Sequence, residues 1–119
     1  MRLMKEYKLP ITQLVINRIL SRRNITNMGY TTPCWLYGGS INPNGYGQIR
    51  IGSSRIYSEL RLVHVISAIL WLPDYNPRLW TLHKCDIRSC FNPEHLFQGD
   101  NRLNMIDMWN KGRRKKQFP

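Results

Sequence analysis

The stretch HKCDIRSCFNPEHLFQGDNRLN, residues 83–104, decides how the rest of the chain is read. It holds two of the three cysteines, two of the three histidines, an Asn-Pro corner and a Gly-Asp pair suited to start a helix. Within it Cys85, Cys90 and His95 form the pattern C-x4-C-x4-H, soft ligands at a chelating spacing. Structural zinc is closed and tetrahedral, so a fourth ligand is required, and Cys34 is the cysteine that remains. A Cys3His site uses every thiol and ties the early part of the chain to this loop. The plainer alternative, three buried cysteines and a loose histidine, leaves the spacing unexplained.

His83 falls outside that ligand set, two residues before Cys85, where chelation would fix the backbone that carries it. Imidazole is the side chain best suited to take a proton from water near neutral pH. After Gly99, Asp100 can cap a helix running through Leu103, Ile106 and Trp109. Asn104 lies one turn into it, and its amide oxygen suits a hard cation such as magnesium. Read alone, an Asn on a helix is most often a surface residue.

The totals set the frame. A chain of 119 residues, 42% apolar, has room for one modest core, and so small a domain often needs a staple. An odd number of cysteines and an N-terminus without a signal-peptide pattern favour metal over disulfides and an intracellular setting. The longest apolar stretch, residues 62–72, is interrupted by His64 and Ser67, so no membrane span is expected. Eighteen Lys and Arg against seven Asp and Glu give a net charge of +11, a field that draws in polyanions. Double-stranded DNA is the leading partner. RNA, or an anionic membrane surface reached through a basic amphipathic helix, is the competing reading.

In chain order, residues 9–23 place Ile11, Leu14, Val15 and Ile19 at helical spacing, with Pro10 fit for the first turn. Arg22 and Arg23 at its basic end are candidates to grip phosphate, or are solvated on a packed surface helix. Residues 24–33 look like a linker. Cys34-Trp35 then opens a β-rich region in which residues 46–51 alternate and residues 55–58 return as a second strand. In that hairpin Gln48 and Arg50 share one face and, with Arg55, are candidates to read a DNA major groove; the alternative is that they face water. Residues 59–72 read as a core helix stopped by Pro73, with Leu60, Val63, Ser67, Leu70 and Trp71 in step and His64 a hydrogen-bonded structural histidine. Residues 79–82 form an apolar strand that ends on His83. Beyond Gly112, Arg113 and Arg114 begin a basic tail suited to phosphates, to solvent or to a nuclear address.

The order H-x-C-x4-C-x-N-P-x-H-L, followed by Asn104, resembles the HNH or His-Me finger endonucleases, in particular zinc-bound phage HNH proteins and His-Cys box homing endonucleases. The resemblance runs over residues 34–112 and includes the upstream C-W, the G-Y-G and the helix with His64. It implies an α+β, zinc-stapled ββα-metal domain with an antiparallel hairpin and flanking helices. It further implies His83 as general base and Cys34, Cys85, Cys90 and His95 on structural zinc. Asn104 would hold magnesium or manganese, and Asn92 would brace the loop that carries the base. Two departures stand out. Relatives carry His-Arg where this chain has His64-Val65, which leaves Arg61, one turn earlier, as the candidate for that cation. Relatives carry an acid where this chain has Leu103.

The expected layout is a basic helix and linker over 1–29, a nuclease domain over 30–112 and a basic tail over 113–119. The expected activity is hydrolysis of DNA phosphodiesters by a phage or mobile-element enzyme, working in a host cytoplasm or nucleoid, or in a nucleus. A zinc-stapled DNA-binding module without catalysis is the alternative. Monomer and homodimer are both compatible with the sequence.

Overall fold

A computed structural model describes residues 11–52 and 59–100, together with Arg102, Met105 and Ile106. The described elements run α1 (Gln13–Ser21), β1 (Arg23–Thr26), β2 (Cys34–Tyr37), β3 (Gln48–Ile51), β4 (Glu59–Leu62), α2 (Val63–Trp71), β5 (Trp80–His83) and β6 (Leu96–Gly99), with a 3-10 turn at Pro93–His95. Among the described residues the strands pair as three antiparallel two-stranded ladders, β1 with β2, β3 with β4 and β5 with β6. The fold is a small α+β arrangement of hairpins and helices.

α1 begins where Thr12, in extended conformation, accepts a hydrogen bond from the Val15 amide at 3.3 Å and so satisfies one of the amides the first turn leaves open. Ile11, Val15 and Ile19 bury into the core as their spacing predicts, whereas Leu14 is 68% exposed. The apolar stripe of α1 is therefore narrower than the sequence pattern. The segment expected to be a linker opens instead with β1, whose Thr26 pairs with Cys34 and Arg23 with Tyr37. Polar side chains hid this strand, because on an edge hairpin they can face solvent while the backbone alone does the pairing.

Two further corrections concern β4. The partner of β3 is not residues 55–58 but Glu59–Leu62, in the register Gln48 with Leu62 and Ile51 with Glu59. The core helix accordingly starts four residues later than expected, at Val63, with Leu62 still extended at ψ 133° and providing no side-chain cap. Leu60, expected on the helix's core face, is a strand residue 51% exposed, and Trp71 at the far end is 38% exposed. Leu60 and Val63 stand three apart, so a helical period fits them by coincidence. The expected stop holds: Leu72 is extended at ψ 136° ahead of Pro73, as the proline ring requires of its predecessor.

The core gathers Ile11, Val15 and Ile19 of α1, Tyr37, Ile49, Ile51, and Val63, Ile66 and Ile69 of α2 around Phe91. Phe91 is fully buried, meets the Trp35 and Tyr37 rings edge-on at centroid distances of 5.6 and 6.1 Å, and has its carbonyl held by Ser67 Oγ at 2.6 Å. Around it, Phe91 N donates to Trp35 O at 2.9 Å and Tyr37 N to Ser89 O at 3.0 Å. β2 is thus bonded to β1 on one side and to the cysteine loop on the other.

Among the described residues no helix is long and apolar enough to cross a membrane.

Candidate metal centre and histidine pocket

Four side chains, three from the C-x4-C-x4-H loop and one from β2, converge where the two meet. The ligand atoms of Cys34, Cys85, Cys90 and His95 all lie within 4.8 Å of one another, and the sulfurs of Cys34 and Cys90 are each 3.5 Å from His95 Nδ1. A tetrahedral ion with metal–sulfur bonds of about 2.3 Å and a metal–nitrogen bond of about 2.0–2.1 Å needs a sulfur-to-nitrogen edge of about 3.6 Å. The donor set suits such an ion, and both sulfur-to-nitrogen edges match it. On the far side of the imidazole, Nε2 lies 2.6 Å from Thr32 Oγ1, and the Tyr30 ring packs edge-on at 4.7 Å. A proton on Nε2, donated to that hydroxyl, leaves Nδ1 free as the ligand, the usual outer support of a metal-bound histidine.

The thiols hold their protons unequally. The hydrogen bond from Cys90 pulls Cys85 down to about 4, against the opposing effect of its burial. Burial and the neighbouring Cys85 push Cys34 up to about 11, and the hydrogen bond to Cys85 together with burial pushes Cys90 up. One negative charge settles on Cys85 and resists a second. A divalent cation relieves that conflict by drawing off the remaining protons.

Asn92 braces this corner. Its Oδ1 accepts from Glu94 N at 3.0 Å, capping the 3-10 turn that presents His95, while its Nδ2 donates to Pro33 O at 3.0 Å, just ahead of Cys34. Asn92 therefore clamps the two chain segments that supply the ligands.

His83, the last residue of β5, pairs with Leu96 of β6 and is 9% exposed. Its Nε2 lies 2.9 Å from the carbonyl oxygen of Cys90. An acceptor there requires the proton on Nε2, which makes Nδ1 of the neutral ring the basic nitrogen. His64 of α2 lies beside it, ring centroids 4.7 Å apart, and Tyr46 stacks on His64 at 5.1 Å and on His83 at 6.1 Å. Arg88 leans over Tyr46 at 5.6 Å and anchors on Asn44 O at 2.8 Å. His64 is buried, and burial followed by repulsion from His83 lowers its pKa to about 3, although the Thr81 backbone opposes the shift. Its Nδ1 has no hydrogen-bond partner among the described residues. His64 is thus a structural histidine as expected, hydrogen-bonded to the Thr81 backbone and stacked on Tyr46.

The other candidates are spread out. Arg22, Gln48 and Arg50 line one groove beside α1, and Gln48 Nε2 donates to Ser40 Oγ at 3.1 Å. Arg23 lies instead over the Trp35 ring at 4.6 Å. Arg61 is on β4, not on the helix, and forms an ion pair with Glu59; the later helix start removes it from the place the resemblance gave it. Arg55, Asn104, Arg113 and Arg114 lie outside the described residues, and of the expected helix after Asp100 the described positions Arg102, Met105 and Ile106 are helical.

Thr32, Tyr46 and Arg88 were not among the expected site residues. Tyr46 alone had a signal, its place in the G-Y-G turn, where Gly45 takes a φ of +94° that a side chain would strain.

No family model matches the chain, and no solved structure does either. Protein 2.8 of Escherichia phage T7 is 34% identical over 101 residues, which are 85% of this chain and 64% of that protein. The chain thus spans a little under two thirds of the length of this relative.

Proposed function

We propose that this chain is a metal-dependent DNA endonuclease of the His-Me finger kind, phage-derived, with His83 as general base and a structural zinc on Cys34, Cys85, Cys90 and His95. The observation that carries the reading is the His83 hydrogen bond: a neutral imidazole at the end of a strand is held by a carbonyl of the metal loop so that Nδ1 is its basic atom. A pure binding module has no use for that arrangement. The β5–β6 hairpin with helical residues after it suits a ββα-metal core, and the phage relative supports a phage origin.

On this reading zinc is structural, since four protein ligands leave no open position for water. The catalytic cation, magnesium or manganese, has Asn104 as its candidate ligand and would neutralise charge growing on the scissile phosphate. His83 Nδ1 takes the proton of the attacking water, while Nε2 keeps its own proton on Cys90 O and so preserves the tautomer. Tyr46 and His64 wall one side of the ring and keep bulk water from it. The family resemblance implies 5′-phosphate and 3′-hydroxyl products.

A non-catalytic zinc-stapled DNA-binding module is favoured by one feature, the 9% exposure of His83, which leaves little of the ring within a substrate's reach. Plasmid incubated with magnesium and the unaltered protein, His83→Ala or Asn104→Ala separates the two. Nicking by the unaltered protein alone supports the enzyme; equal nicking by all three, or none by any, sinks it.

A further inference from the structure

Beside α1 runs a groove of about 410 Å³, apart from the histidine pocket, with Arg18, Arg22 and Arg50 around it and Tyr37 and Gly39 in its wall. We propose that it seats one backbone phosphate of duplex DNA, gripped by these three arginines; this rests on the DNA reading above.

The groove is built from both ends of the helix–hairpin contact. Arg18 Nη1 donates to Arg50 O at 3.4 Å, which ties α1 to the β3 backbone beside the groove that Arg18, Arg22 and Arg50 line. Gly38 N donates to Arg22 O at 2.7 Å and ties the Arg22 backbone to the glycine wall. The wall has to be glycine, because a Cβ on Gly39 would lie 2.6 Å from the Tyr37 ring. Burial raises the Tyr37 pKa, with Arg22 and Arg18 acting against it, so the hydroxyl keeps its proton. Among the described residues no carboxylate lines the groove, so Arg18, Arg22 and Arg50 have no counter-ion within that lining.

Guanidinium forks match phosphate oxygens in pairs, and a groove of this size has room for a phosphodiester. Its position argues for a polymer over a free nucleotide. β3 leads from the groove to Tyr46 beside His83, and four residues of extended chain from Arg50 reach at most about 13 Å. Along duplex DNA that span is about four nucleotide steps at about 3.4 Å each. The seat would therefore hold the same duplex whose phosphate meets His83, fixing register without reading bases.

The test is binding of a short DNA duplex by the zinc-loaded protein in magnesium-free buffer, followed by anisotropy across a salt series. Arg18→Gln/Arg22→Gln should weaken binding and lower the slope of log affinity against log salt by about 1, one phosphate contact's worth. Arg50→Gln should lower it by no more, and adding it to the double variant should change the slope little further. Thermal unfolding of each variant, expected unchanged because all three side chains are exposed, excludes misfolding. An unchanged slope in the double variant overturns the seat, and a drop of about 2 means separate phosphates and overturns the single seat. If the unaltered protein shows no salt-dependent binding, the DNA reading itself fails. Because cleavage plays no part in the readout, a catalytically inert protein still tests the groove.

Discussion

His83 and Cys90 are joined by a 2.9 Å contact from imidazole Nε2 to backbone carbonyl, while the Cys90 sulfur lies 3.5 Å from His95 Nδ1. One residue thus faces the candidate metal site with its side chain and the candidate base with its main chain. Whatever positions Cys90 also positions His83.

If His83 is the base, His83→Ala should lower magnesium-dependent cleavage by about 100- to 10,000-fold, the usual worth of a general base, while DNA affinity changes little. Cleavage rates set beside anisotropy titrations check this. A parallel loss of both would point to a folding defect in place of a catalytic one.

Metal analysis should find one zinc per chain, and Cys90→Ser should abolish it. The apo protein should lose tertiary structure by near-ultraviolet circular dichroism, whereas withholding magnesium should leave that spectrum intact. Zinc affinity should also fall as pH falls, since Cys34 and Cys90 have pKa values pushed upward and protons compete for both sulfurs.

His64 predicts a separate acid sensitivity. Its pKa lies near 3 in the fold and near 6.5 when unfolded, so between those values the unfolded chain binds the extra proton. Its contribution is full above about pH 6.5 and drains away toward pH 3, at up to about 1.4 kcal/mol per pH unit. Urea unfolding at neutral and mildly acid pH should show a smaller loss in His64→Phe than in the unaltered protein. Thiolate protonation affects both proteins alike and cancels in the comparison.

Phe91→Ala removes the side chain around which α1, β2 and α2 pack, and should cost about 3–5 kcal/mol. That is a large share of the stability of a domain this size, so a collapse of the thermal transition is expected. Phe91→Leu should retain most of it.

The Cys3His cluster was legible in the sequence because ligand type and spacing are local properties. Cys85, Cys90 and His95 carry the pattern, and elimination supplied Cys34. Strand pairing is not local. β1 has no apolar alternation to announce it, and β4 shares its leucine spacing with the helix that follows. The Tyr46–His64–His83 stack brings together a turn, a helix and a strand, a meeting that only the folded chain defines.

Cys34 and His95 are 61 positions apart, yet their ligand atoms belong to one cluster. Until a ribosome has released residue 95, a nascent chain holds at most part of the coordination sphere, and the entropy of closing so long a loop works against any earlier assembly. If zinc fills the cluster, its capture is a closing step of biogenesis, after β5 has emerged. On the endonuclease reading, cutting competence would switch on late and all at once, and a truncated translation product would be harmless to the genome of the cell that makes it.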